Sequence, residues 1–192
     1  MPRCTICESV LAKAEKYLPR FIEKVAGIPV VLLNCVESYS CPQHPDEQAF
    51  THVPDQEDLE AAVAVARIQI PQKLNGKEIR FLRKVAGWTA KDFAAQMNIS
   101  EEVVSRWENS KTTIGPSSES KLRLIVGIKI KEKDRKAPGV YFDPLEVASL
   151  KLEPVRDSGD TVHLAFYRGP VARENRRETT TDYVPELERK RA

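Results

Sequence analysis

Four residues of this sequence have the types and spacing to hold a metal. Cys4-Thr5-Ile6-Cys7 is a C-x-x-C pair, and Cys41-Pro42-Gln43-His44 is a C-x-x-H pair. Two such knuckles separated by a strand-rich stretch make a tetrahedral Cys3His site for Zn2+. Four protein ligands leave no open coordination position. The expected role is therefore structural, stapling a domain too small to build its own core. A redox role for Cys4 and Cys7 lacks the flanking βαβ pattern of a thioredoxin-like site, and a catalytic zinc lacks an H-E-x-x-H helix. Cys35 lies inside the apolar run Val30–Val36 and is expected as a buried thiol. His52 and His163 have no partner at ligand spacing.

The elements around the knuckles read as short strands. Val10–Tyr17, Phe21–Ala26 and Val30–Tyr39 are rich in β-branched and aromatic residues and are punctuated by Pro19, Gly27 and Pro29. Pro42, Pro45 and Pro54 mark a loop. Asp55 then stands as the N-cap of a helix whose Leu59, Ala62, Val63, Ala66 and Ile70 recur at helical spacing until Pro71. This helix is expected to connect two domains.

From Gly76 the pattern becomes four short helices, about 77–86, 90–97, 101–109 and 118–128. Thr89 and Asp92 form a capping-box arrangement before the second, and Ser100 caps the third. The apolar positions are Ile79, Leu82 and Ala86, then Phe93, Ala94 and Met97, then Ile99, Val103, Val104 and Trp107. In the third helix Glu101, Glu102, Ser105 and Arg106 fall on the outward side. A helix with one apolar and one polar face is what the major groove of double-stranded DNA admits.

Charge is distributed to match. Residues 1–71 carry a net −4, residues 72–136 a net +7 and residues 137–192 a net −1, in a chain of net +2. The basic third coincides with the helices, the footprint expected of nucleic-acid binding. Arg106 is the best candidate for a base contact, because arginine reads the O6/N7 edge of guanine. Thr89, Lys91, Lys111 and Lys121 are placed for phosphate contacts. Glu101 and Glu102 admit two roles: accepting from cytosine N4, or favouring the helix N-terminus electrostatically.

The helical blocks resemble the phage-repressor (Xre) type of helix-turn-helix domain. Gly76–Lys84 is similar to its opening helix, Gly87-Trp88-Thr89-Ala90-Lys91-Asp92-Phe93-Ala94 to its second and Val104-Ser105-Arg106-Trp107-Glu108-Asn109 to its third. The resemblance implies a structural ion pair between Arg83 and Glu108. It also implies DNA contacts from the start of the second helix, where Ala90 replaces the frequent Gln. A zinc ribbon followed by such a domain resembles the YgiT/MqsA family of zinc-finger regulators, many of them antitoxins that repress their own operon. That resemblance implies a homodimer on a palindromic operator and a zinc domain that is structural or holds a protein partner such as a toxin. His44 in place of a fourth Cys, and some sixty residues after Ile128, depart from the family.

The fold expected is α+β: a β-rich zinc ribbon (1–50), a connecting helix and linker (51–75), an all-α helix-turn-helix domain (76–128) and a poorly defined extension (129–192). In the extension, 148–156 and 161–168 are expected to form a hairpin around Asp157–Asp160, with a disordered tail beyond. The function expected is a transcriptional regulator, a repressor, and not an enzyme; the alternative is a type II antitoxin. No apolar run reaches the ~18 residues of a membrane span, and Met1–Thr5 lacks a secretory h-region, so the expected location is cytoplasmic.

Overall fold

The computed structural model describes residues 2–44, 50–132, 139–154, 164–172 and 179–186. Its axis is β3 (Ile28–Ser40), a 13-residue strand. The hairpin from β2 (Leu18–Val25) into β3 turns on Ala26 and Gly27, with φ of 52° and 86°. Positive φ at both central positions gives a two-residue turn whose twist matches that of the strands. In the first half of β3, Val30 and Leu32 face inward and are fully buried, while Val31 and Leu33 lie on the other face. The alternation then breaks. The register with β2 jumps between Arg20↔Leu33 and Leu18↔Val36, and Asn34 takes a φ of 51°. This is a β-bulge at a residue type that tolerates the left-handed region. It buries Cys35 and Val36 in succession. Beyond it, the far half of β3 pairs with β1 (Ala12–Lys13) and β4 (Phe50–His52), and leads directly into Cys41.

The other edge of the first half of β3 is taken by β5 (Leu164–Ala172), running parallel from Val30↔Leu164 to Leu33↔Tyr167. β5 in turn pairs antiparallel with β6 (Thr179–Pro185). Parallel neighbours need a crossover connection. Here the crossover contains every helix of the protein that lies among the described residues: α1 (Gln56–Ile68), α2 (Gly76–Val85), α3 (Ala90–Met97), α4 (Glu101–Glu108), α5 (Pro116–Glu132) and α6 (Pro144–Ala148). The helical region is thus inserted between two strands of one sheet. None of these helices is long and apolar enough to cross a membrane.

The C-terminal region departs from the sequence expectation. α6 ends on Ala148 and residues 149–154 after it form no strand, only an isolated bridge from Glu153 to Gln72, while β5, which overlaps the second expected hairpin strand, finds its antiparallel partner in β6, within the stretch expected to be a disordered tail. The expected turn at Asp157–Asp160 lies outside the described residues. The physical reason is local. Thr179-Thr180-Thr181-Asp182-Tyr183-Val184 is β-branched and aromatic, but charged segments on either side hide it from any reading over a wide window. Tyr183 is fully buried, and its hydroxyl donates to the carbonyl of Pro54. Asp182 is buried too, accepting from the backbone N–H of Gly139 and of Tyr183.

Asp55 is a second correction. Its φ is 49° and its side chain makes no cap hydrogen bond; its carboxylate pairs instead with Arg168 of β5. The amphipathic spacing of α1 also understates its role. Leu59 and Ala61–Ile68 are all buried, so from Ala61 onward the helix is enclosed on every side. Small side chains in Ala-Ala-Val-Ala-Val-Ala let neighbours approach from all directions. One continuous apolar cluster runs from Val30, Leu32 and Phe166 of the sheet, through α1, to Leu82 and Phe93 of the helical region.

The turn from α1 into α2 is held by two buried arginines. Arg67 donates to the carbonyls of Gln72 (3.0 Å) and Lys73 (3.0 Å) and meets both carboxylate oxygens of Glu78 at 2.7 and 3.0 Å. Arg123, from α5, donates to the carbonyls of Ile68 (2.9 Å), Ile70 (2.5 Å) and Gln72 (2.7 Å) and pairs with Glu119 at 2.7 Å. Removing one member of a buried pair strands the other charge, at a cost of about 3–5 kcal/mol. Arg67→Ala is expected to lower unfolding free energy by that order in urea titrations. Arg67→Lys should recover little of it, because an ammonium cannot reproduce the bidentate fork.

Candidate metal centre and nucleic-acid interface

The first knuckle is shaped by backbone hydrogen bonds. Cys4 N–H donates to Ser9 O (2.9 Å), Glu8 N–H to Cys4 O (3.0 Å) and Leu11 N–H to Pro2 O (3.0 Å), with Glu8 at a φ of 59°. The second forms where β3 ends, with His44 N–H donating to Cys41 O (3.2 Å). Together they bring four ligand atoms within 4.8 Å of one another: the Sγ of Cys4, Cys7 and Cys41 and a ring nitrogen of His44. Cys7 Sγ lies 3.6 Å from Cys41 Sγ, and His44 Nδ1 lies 3.6 Å from Cys41 Sγ and 3.8 Å from Cys4 Sγ.

These spacings fit a metal tetrahedron. Zinc bonds of about 2.3 Å to sulfur and about 2.0 Å to nitrogen give tetrahedral edges of roughly 3.5–3.8 Å. A disulfide would need about 2.05 Å between sulfurs. Two of the four donors, Cys4 and Cys7, are also electrostatically prepared as thiolates. Backbone N–H groups of Cys7 and Ile6 lower the pKa of Cys4, and the Ser9 hydroxyl and backbone bring Cys7 down to about 6. Burial raises Cys41, and Cys4 raises His44. The set is a Cys3His cluster capable of coordinating a metal ion. Cys35 is not part of it; it is buried in β3, and that burial raises its thiol pKa. His52 is exposed on β4, opposite Glu37, and His163 lies outside the described residues.

The chain is expected to bind one metal ion, measured by elemental analysis of the purified protein. Cys41→Ser should lose that ion and Cys35→Ala should keep it. Equal retention in both would rule the cluster out as the ligand set.

The helical region builds a second surface. Asn75 and Thr89 start α2 and α3 with reciprocal capping boxes to Glu78 and Asp92, and Ser100 caps α4 through Val103 N–H. Ile79, Leu82, Ala86, Phe93, Ala94, Met97, Val104 and Trp107 are buried, with Ile99 and Val103 packed at the margin. Trp88 stacks on Phe93, ring centroids 6.1 Å apart. Gly76 allows α2 to start against the end of α4. A Cβ there would sit 2.5 Å from the carbonyl oxygen of Trp107.

Arg83 clamps Glu108 with Nε and Nη2 at 2.5 and 3.2 Å and donates through Nη1 to Trp88 O at 2.9 Å. Arg80 adds a second arm, with Nε 3.0 Å from Glu108 and Nη2 3.1 Å from Asn109 Oδ1. Sequence reasoning missed Arg80, although it precedes Arg83 by one helical turn and so shares its face. Burial pushes the Glu108 carboxyl up, but the two guanidiniums outweigh it and hold its pKa below the usual value.

Residues 79–122 match the helix-turn-helix family. This segment is a helix-turn-helix domain of the Xre type, a non-catalytic DNA-binding family. Comparison with curated proteins and with solved structures returns no match to the chain.

Within the helix-turn-helix domain, Glu101, Glu102, Ser105 and Arg106 are all exposed on α4, and Lys91, Lys111 and Lys121 are exposed around it. Thr89 is exposed, but its hydroxyl is committed to the cap, donating to Asp92 Oδ2 at 2.7 Å. Ala90 is half-buried beside it. Asn109 Nδ2 donates to Ser105 O (2.8 Å) and lies 3.3 Å from Ser105 Oγ. Arg106, Glu101 and Glu102 form no side-chain hydrogen bond or ion pair among the described residues.

Proposed function

We propose that this protein is a sequence-specific regulator of transcription, a repressor, that reads double-stranded DNA with α4 in the major groove. One observation carries the reading. The helix-turn-helix domain presents an exposed α4 face on which Arg106 remains unpaired, while Arg80 and Arg83 are both spent on Glu108. Arg106 would donate to guanine O6 and N7. Lys91, Lys111 and Lys121 would meet phosphates and fix the register, with Thr89 and Ala90 close to the backbone. One domain of this size makes too few base contacts for a specific site, which supports a homodimer on a palindromic operator. The metal cluster fits a structural Zn2+ held by Cys4, Cys7, Cys41 and His44, and the absence of disulfide pairing among the four cysteines fits a cytoplasmic location.

Arg106→Ala is expected to weaken binding to the cognate duplex by about 1–3 kcal/mol and to leave random duplex nearly unchanged, as read by titration at fixed salt. Equal losses on both would overturn a base-reading role.

A second reading, a toxin-neutralising partner role in the manner of a type II antitoxin, is favoured by the N-terminal surface. Ile6, Val10, Tyr17, Ile22 and Phe50 are large apolar side chains left exposed there. Under this reading Arg106→Ala should still neutralise a toxin encoded beside the gene in a growth assay. Ile22→Asp and Phe50→Asp should not; if they do, that surface is not the partner site.

A further inference from the structure

We infer that Glu102 is a specificity-determining residue that reads cytosine, so that the operator half-site is built on G·C pairs. The inference rests on the DNA reading proposed above and deepens it. At about 100° per residue, Glu102 and Arg106 lie roughly 40° apart and one turn apart on α4. Both are exposed. An acid four residues before a base on a helix is the arrangement that normally pairs. Here the two side chains form no ion pair, and no other described residue engages either of them. The neighbouring polar groups are occupied. Asn109, the C-cap of α4, donates to Ser105 and accepts from Arg80. Glu108 holds two arginines.

Beside Glu101 in the first turn and the short Ser105 hydroxyl, the long side chains left to meet base edges on this face are a pure acceptor, Glu102, and a pure donor, Arg106. In the major groove, adenine is recognised by an amide that both donates and accepts, and no free amide stands on α4. Cytosine presents the N4 amino donor, which a carboxylate accepts, and guanine presents the O6 and N7 acceptors that arginine satisfies. The carboxylate also repels phosphate, so it weakens binding to sequences where its acceptor finds no amino group. Stabilisation of the helix N-terminus needs only a negative charge in the first turn, which Glu101 already supplies.

The test is selection from a randomised duplex library with the full-length protein and its Glu102→Gln and Glu101→Gln variants, followed by sequencing of the bound pools. The wild type should select a motif containing cytosine at a symmetric position in each half-site. Glu102→Gln should replace that cytosine by adenine, which glutamine reads through N6 and N7. Its preference for cytosine there should fall roughly five-fold or more, the worth of one base contact. Glu101→Gln should select the wild-type motif. A Glu102→Gln pool with the wild-type motif would overturn this inference alone. A wild-type pool with no motif would overturn it together with the sequence-specific reading on which it rests.

Discussion

The structure depends on how it satisfies the backbone of one short turn. Between α1 and α2 the chain reverses through a half-buried turn, where the carbonyls of Ile68, Ile70, Gln72 and Lys73 are met by side chains rather than by a neighbouring strand. Carbonyls withdrawn from water are costly to leave unpaired. Two guanidiniums fill the gap, Arg67 from α1 and Arg123 from α5. Each carries its own counterion: Glu78, whose carboxylate also completes the N-terminal box of α2, and Glu119, which also accepts from Leu74 N–H at 3.0 Å. The network is neutral in sum, and it joins α1, the turn, α2 and α5 into one unit. An apolar replacement could match its stability, but it would not fix the angle at which the helix-turn-helix domain leaves α1.

That angle matters because α1 is also joined to the sheet. Arg168 of β5 pairs with Asp55 at the start of α1 and lies over the Tyr183 ring, 5.6 Å from its centroid. The same Tyr183 anchors β6 to Pro54. β3 then carries the connection onward to Cys41, past the bulge at Asn34. The Cys3His cluster and the helix-turn-helix domain are thus linked, among the described residues, by a strand, a largely buried helix and a neutral charge network.

The elements legible in the sequence are those whose signals are local. α2 to α4 announce themselves through caps at Asn75, Thr89 and Ser100 and through apolar residues three and four apart. The two knuckles are legible because metal ligands must come in close pairs. What stayed hidden depends on distant partners. Val30 and Leu164 pair in parallel across the whole helical insertion, and nothing near either residue marks it. Arg67 lies in the last turn of α1, where a basic residue ordinarily serves the helix dipole at the surface, and only the carbonyls of the turn beside it and Glu78 explain its complete burial. Arg123 is obscured in the same way within Leu-Arg-Leu-Ile-Val. β6 is too short to stand out between charged flanks. The ion pair between Arg83 and Glu108 was reachable only by resemblance, and Arg80 shows the limit of that route, since a resemblance supplies a pair where the fold builds a three-residue clamp with Asn109 attached.

The topology also sets the order in which the protein can assemble. β5 and β6 complete the sheet only after the helical insertion has folded back, so this contact carries a loop-closure cost that the β2–β3 hairpin does not. The helix-turn-helix domain has local contacts and its own caps, which suits it to form early. Once it has formed, the span that β5 must bridge shrinks from the contour length of the insertion to the distance between its two ends, at Ile68 and Gly139. The two ends are tied to each other and to the sheet: Gln69 donates to Tyr141 O at 2.8 Å, and Gly139 N–H donates to Asp182 of β6 at 2.8 Å. The inserted domain thereby serves as the closed loop that makes a parallel pairing of such long range affordable. The same closure fixes α4 relative to the sheet.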